Sequence, residues 1–297
     1  MKKIGKLVIC GLLPLLLLGD EDPIASYSYW DFHPLHIGGN MIRIGGASVD
    51  SDDYNGHLYF RKNSAYLNML VPISRDSYFF PRVEFNNFTL DWNQNPKFNE
   101  THFYYAQFGL TFYTTGLEDW RWILRADYNL DLEHFSDPSQ YGLFSLLMWG
   151  KYELHKKWHY HVGVLGSVGI ESAPVYPILG IDFAPDDYWL FEAIFPITYS
   201  IQYKLNKNWR FSLKGRPLKE RFRVGSHQLQ PRSIFNYSTI GTEFNIHYEQ
   251  FLWLEIELYA GYNFGGNFYI KNQDGRKALY TELGGAPYAG ISLDYGF

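Results

Sequence analysis

Apolar and polar residues alternate at a period of two from about His36 to the last residue, and no segment carries the apolar stripe of a helix. Only a strand repeats its faces every second residue, so this alternation restricts the chain to β architecture. The segment Pro287 to Phe297 gives the pattern at its plainest. Ala289, Ile291, Leu293, Tyr295 and Phe297 share one face, while Tyr288, Gly290, Ser292, Asp294 and Gly296 share the other. In a soluble sheet such an apolar terminal strand is an open, aggregating edge. In a closed cylinder it pairs with the first strand.

Phe297, with Tyr295, Leu293 and Ile291 on its face, resembles the C-terminal signature of Gram-negative outer-membrane β-barrels. The resemblance implies a transmembrane antiparallel up-and-down barrel in the bacterial outer membrane. It also implies a terminal strand read by the barrel-assembly machinery and a wall in contact with outer-membrane lipid and lipopolysaccharide. The chain is also similar over its mature length to uncharacterised families of outer-membrane barrels, which bears on location and not on substrate.

Composition agrees with strands that are apolar on one side only. Aromatic residues make up 19% of the 297 residues, yet the mean hydropathy of -0.26 is that of a water-soluble protein. A net charge of -5 has the wrong sign for nucleic acid. Lys2, Lys3 and Lys6 precede an apolar run from Leu7 to Leu18, interrupted by Pro14. This reads as a signal peptide over 1–19 with a cut near Gly19, too short for an ordinary membrane helix. Cys10, the sole cysteine, falls in that leader, and Ile9 before it fits a lipoprotein acceptor poorly. No disulfide is expected in the mature protein. Residues 20–36 are expected to form a periplasmic or lumenal arm and residues 37–297 the barrel.

Alternating segments separated by turn residues number about 14, with 12 as the alternative, since bacterial single-chain barrels use even numbers. The weakest separation is at Pro196, where the apolar parity runs straight through. Short connections alternate with longer ones, and tryptophan follows five of the short ones at once or nearly so: Trp120, Trp158, Trp189, Trp209 and Trp253. An indole favours the membrane interface, ring in the apolar zone and N–H in the wet one, so these predict a girdle at one rim.

With the apolar face toward lipid, the other face lines the lumen. It is expected to carry Arg43, Arg82, Arg121, Arg125, Lys151, Lys204, Arg210 and Lys214 against Glu84, Asp127, Asp131, Glu153, Asp182, Glu192, Glu243, Glu255 and Glu257. Lys204, Arg210 and Lys214 lie on two neighbouring strands, and Glu243, Glu255 and Glu257 on the next two. Two readings follow: a transverse field that orients solutes in a pore, or a cross-strand ion-pair network that fills the lumen. The functions to match are a passive, porin-like channel for small hydrophilic solutes, or a structural or surface-interaction barrel plugged by its own side chains.

Lipid-modifying barrel enzymes resemble the chain in architecture only. Ser226, His227 and Glu220 stand together in a basic stretch, Gly215 to Ser233, that also holds Arg216, Lys219, Arg221, Arg223 and Arg232. Serine, histidine and acid in one loop recur by chance, and no catalytic residue is assigned. That stretch could meet anionic lipopolysaccharide phosphates, fold inward to constrict the lumen, or stand in solvent. His155, His159 and His161 flank a turn without the carboxylate or thiolate spacing of a metal site, so no metal or other cofactor is assigned.

Overall fold

The computed structural model describes residues 34–51, 54–92, 98–155, 157–170, 174–250, 254–272 and 277–297. The expected leader at 1–19, the arm up to residue 33 and Trp253 lie outside them, as does the side chain of His155. Strands follow one another as β1 Leu35–Ser51, β2 Tyr54–Met69, β3 Val71–Ser74, β4 Ser77–Trp92, β5 His102–Leu117, β6 Trp120–Asp131, β7 Leu143–His155 and β8 Trp158–Gly169. They continue as β9 Val175–Phe183, β10 Trp189–Phe195, β11 Thr198–Lys204, β12 Trp209–Arg223, β13 Ile234–Gln250, β14 Leu254–Lys271, β15 Lys277–Leu283 and β16 Ala286–Gly296. A four-residue helix, α1 Pro138–Tyr141, lies between β6 and β7.

All pairings are antiparallel. β3 continues β2 past Leu70, and β15 continues β16 against β14 and β1, so the strands make 14 staves. The cylinder closes where β1 meets β16, with Ile37 opposite Tyr295 and Met41 opposite Ile291. Phe297 adds one more bond, its N–H donating to Leu35 O at 2.9 Å. The twelve-strand alternative is set aside at Pro196. There β10 and β11 are separate staves joined by a tight turn, with Ile194 opposite Thr198. β1 begins at Leu35, so Leu35 and His36 belong to the wall and not to the arm.

The two rims differ. The short turns, β3–β4, β5–β6, β7–β8, β9–β10 and β11–β12, share the rim where β1 begins and β16 ends. The longer connections, the hairpin β12–β13 and, as the exception, the tight β10–β11 turn occupy the other. Wall height differs too: β10 and β11 have 7 residues each, while β12, β13 and β14 have 15, 17 and 18. Outward residues form an apolar belt around the staves, including Val83, Phe108, Leu110, Leu146, Ile201, Leu213, Phe244 and Leu258, all exposed. A soluble monomer does not show so continuous an apolar surface. It is the lipid-facing wall of a membrane-spanning barrel.

The inner face departs from the expected polar lining. Ile42, Ile44, Phe60, Phe88, Phe222, Phe235 and Phe268 are buried inside, near the long-connection rim, in one aromatic and aliphatic cluster. A second inner cluster joins Phe80, Ile123, Leu147, Trp149 and Ile194 on the other side of the barrel. Because Ile42 and Ile44 turn inward, Arg43 between them points out, opposite Arg61. The expectation that Arg43 lines the lumen is corrected. Alternation fixed two faces there, and the cluster's demand for apolar partners reversed which one is inside.

Candidate functional site: the barrel lumen

Next to the short-turn rim the lumen carries tightly paired polar side chains along β12–β14, while Phe80, Ile123 and Trp149 of the second inner cluster stand in the same half on β4, β6 and β7. Lys214 on β12 donates to Glu257 on β14 at 2.8 Å. Arg216 holds Glu243 on the adjacent β13 through a doubled contact, one arm at 2.9 Å, and lies 4.2 Å over the Tyr259 ring. His247 bridges Arg210, at 3.2 Å, and Glu255, at 3.2 Å. Arg121 pairs with Glu153 at 2.6 Å, and Arg125 with Asp127 at 2.7 Å. Lys204 stands on the same inner parity, opposite Arg210, at the exposed rim. Basic and acidic strands therefore meet directly, which is the geometry of a wall-bracing network and leaves little of a transverse field.

Two further clusters complete this layer. Tyr66 donates to Asp294 at 2.7 Å, and His36 Nδ1 lies 2.8 Å from the other oxygen of that carboxylate. Across the barrel, Lys151 Nζ and His161 Nε2 each lie 2.8 Å from Asp182 Oδ2, and the Trp149 indole donates to His161 Nδ1 at 3.0 Å. His159 stands at 3.9 Å from the same oxygen. Among the described residues no group of three or more His, Cys, Asp or Glu is arranged to hold a metal.

Access to water falls from this rim inward. The Glu255 side chain is 41% exposed, Glu257 15% and Glu243 1%. The amides of Asn245 and Asn263 are buried with no hydrogen-bond partner among the described residues. A buried amide without a partner is costly, so such groups favour bound water within the chamber.

Beyond them aromatic rings close the lumen. Phe103 on β5 stacks on Phe222 of β12 with ring centroids 4.6 Å apart, although six staves lie between those strands in either direction round the wall of 14. Phe88 meets Phe222 at 4.9 Å, and Phe60 stacks on Tyr237 at 4.9 Å. Lys62 on β2 reaches Glu220 on β12 at 3.2 Å, again spanning the interior. Each buried phenylalanine contributes about 1.5–3 kcal/mol by leaving water.

The basic stretch explains how rings so far apart in the wall can meet. Gly215 to Arg223 is strand, not loop, and only residues 224–233 connect β12 to β13. The end of this hairpin leans over the mouth. Arg223 donates to Gln140 O at 2.9 Å, Arg221 to Asn236 at 2.9 Å, Gly225 N–H to Glu100 at 2.8 Å, and Asn99 N–H to Gln228 at 2.8 Å. Ser226 and His227 are exposed at its tip, while Glu220 is buried against Lys62. The three residues weighed as a catalytic set are not brought together.

At the short-turn rim Trp120, Trp158, Trp189 and Trp209 open β6, β8, β10 and β12, every second stave. Each packs on an aromatic neighbour: Trp120 on Tyr152, Trp158 on Phe183, Trp189 on Tyr203 and Trp209 on Tyr248, at 5.0, 4.2, 4.8 and 4.7 Å. Leu293 and Tyr295 on β16, and Phe297 just after it, face outward and exposed, with Ile291 on the same parity. What sequence reasoning missed is the aromatic closure. Its signal was the apolar residues on the parity opposite the lipid face, Phe60, Phe88 and Phe222, beside charged neighbours.

No protein-family model matches the chain. It is 21% identical over 255 residues to an uncharacterized protein of Chlamydia trachomatis serovar D, covering 81% of this chain and 80% of that protein. A second relative, from Chlamydia pneumoniae, is 25% identical over 203 residues, 66% of this chain and less than two thirds, 62%, of its own length. Among solved structures, an outer membrane channel from Pseudomonas putida F1 superposes with a TM-score of 0.50 at 9% identity, over 90% of this chain and 98% of its own. The mutant TodX monoaromatic hydrocarbon channel reaches 0.47 at 9% identity, over 89% and 90%. At 9% identity the likeness to the Pseudomonas putida channel is one of fold alone, that of an outer-membrane β-barrel.

Proposed function

We propose that this chain is an outer-membrane channel for small hydrophilic solutes, described here in a closed conformation, and that it catalyses no reaction. The observation that carries the reading is the gradient along the lumen. A charged vestibule opens at the short-turn rim, narrows past Glu257 and Lys214, and ends at the Phe103–Phe222 contact. Passage requires the β12–β13 hairpin to move, since Phe222 and the Arg223 and Gly225 contacts belong to it. The separation of Glu220 from Ser226 and His227 supports the non-enzymatic half of the reading.

Single-channel recording of the refolded protein in a planar bilayer tests it. Rare openings in the native protein and frequent ones after Phe222→Ala are expected. Silence in both, from protein that keeps its heat-modifiable mobility, would favour the second reading, a structural or surface-interaction barrel whose lumen is plugged. The aromatic cluster itself is the observation on that side.

A further inference from the structure

Arg43 on β1 and Arg61 on β2 sit directly opposite each other on the outer wall. Like charges at opposed cross-strand positions repel, and nothing in the wall cancels them fully. Asp91 stands 3.9 Å from Arg61, both well exposed, and Arg43 makes no ion pair among the described residues. Beside them the wall is dented at Gly45. The dent is a cleft of about 440 Å³ bounded by Arg43, Ile44, Gly45, Tyr59, Arg61 and Asp91.

Its height on the wall matters. Counting from the short-turn rim, the outward residues of β2 run Met69, Leu67 and Ala65, then turn polar at Asn63 and Arg61. On β1 the outward Ile37, Gly39 and Met41 precede Arg43. The cleft opens where the apolar belt ends, at the level of lipid headgroups. Arginine forks match phosphate oxygens bidentately, and basic pockets at a membrane boundary hold anionic headgroups.

We propose that this cleft binds the phosphate-monoester headgroup of a membrane lipid, with the phosphate between Arg43 and Arg61, Tyr59 beside it, and acyl chains over Met41 and Leu67. Asp91 offsets one of the two positive charges. A monoester, near two negative charges at neutral pH, gains more there than a singly charged phosphodiester. The proposal rests on the barrel spanning a membrane and not on whether its lumen conducts.

The test is native mass spectrometry of the full chain released from nanodiscs of phosphatidylcholine doped with phosphatidic acid. Retention of phosphatidic acid over phosphatidylglycerol is expected, falling about tenfold in the double variant Arg43→Gln, Arg61→Gln. Asp91→Asn should increase retention, and Arg75→Gln at the opposite rim should leave it unchanged. Equal retention by a double variant with native heat-modifiable mobility would overturn the site. Displacement of the lipid by inorganic phosphate would overturn its assignment to a lipid. Native protein that fails to enter the nanodiscs at all would refute the membrane reading, and the site with it.

Discussion

Phe103 and Phe222 stack at 4.6 Å with ring planes 23° apart, from strands that stand seven staves from each other in a wall of 14. A single pair of rings therefore spans the lumen. Both side chains are fully buried, so removing one removes transfer energy and leaves a cavity. Phe222→Ala should lower stability by about 3–5 kcal/mol and raise the frequency of channel opening. Chemical denaturation and bilayer recording on the same preparation check the two halves. Loss of stability without any gain in conductance would assign the contact to packing alone.

The Lys214–Glu257 pair is partly buried, its side chains 25% and 15% exposed. Removing one partner strands the other beside the chamber wall, whereas removing both does not. Lys214→Met and Glu257→Gln should each destabilise more than half as much as the double variant. A double-mutant cycle should return a coupling of about 0.5–3 kcal/mol. A coupling near zero would mean that water already separates the two.

Acid should favour the closed hairpin. Glu100 lies in the β4–β5 connection and accepts the Gly225 N–H at 2.8 Å. Burial raises its pKa above the ordinary carboxylate value of 4.5, with Glu133 and Asp131 adding to the rise, and the Gly225 bond and His134 opposing it. If undocking restores the ordinary value, the docked state binds more protons between that value and the raised one. Docking then strengthens as pH falls through this window and weakens as pH rises through the raised pKa. Open probability should climb with pH across it in the native protein and stay flat in Glu100→Gln. A native profile with no slope there would remove Glu100 from the latch.

The outward face can be tested at one position. Ile201 is exposed in mid-β11, its neighbours Gln202 and Ser200 buried against Glu192. Ile201→Arg should cost about 2–4 kcal/mol of insertion if it meets the bilayer core. Folding yield into lipid vesicles measures it, against Lys207→Arg in the β11–β12 turn as the tolerant control. Equal yields would place β11 outside the apolar zone.

Deleting Phe297 removes the N–H that bonds Leu35 O at the seam. Slower or less complete assembly into the outer membrane is expected, read as the fraction of heat-modifiable barrel in cells. Normal assembly would show that the seam does not depend on its last residue.

Architecture was legible because it rests on strict local rules. Period-two alternation, turn residues and the tryptophans after short turns lead to the staves, their number and their rims without knowledge of any contact. Even the hairpin at Pro196 follows from requiring an even number. What lay inside was less legible, because parity divides a strand into two faces without saying which is inner when both carry apolar residues. At Ile42–Arg43–Ile44 the packing of Phe60, Phe88 and Phe222 decides, and those residues lie on distant strands. The pairing of Lys214 with Glu257 had its ingredients in the sequence. The bend that carries Phe222 to Phe103 did not, since it depends on contacts such as Arg223 to Gln140 and Gly225 to Glu100.

The 7-residue staves β10 and β11 have a consequence for the membrane around the protein. A bilayer-spanning strand needs about 9–11 residues, and the 16-residue strands β2 and β4 on the facing side exceed that comfortably. Lipid that fits the tall flank is too thick for the short one. Hydrophobic mismatch of this kind is relieved by thinning the bilayer locally or by tilting the cylinder. The barrel thus sits askew or in a dimple, its low flank marking the direction of lean.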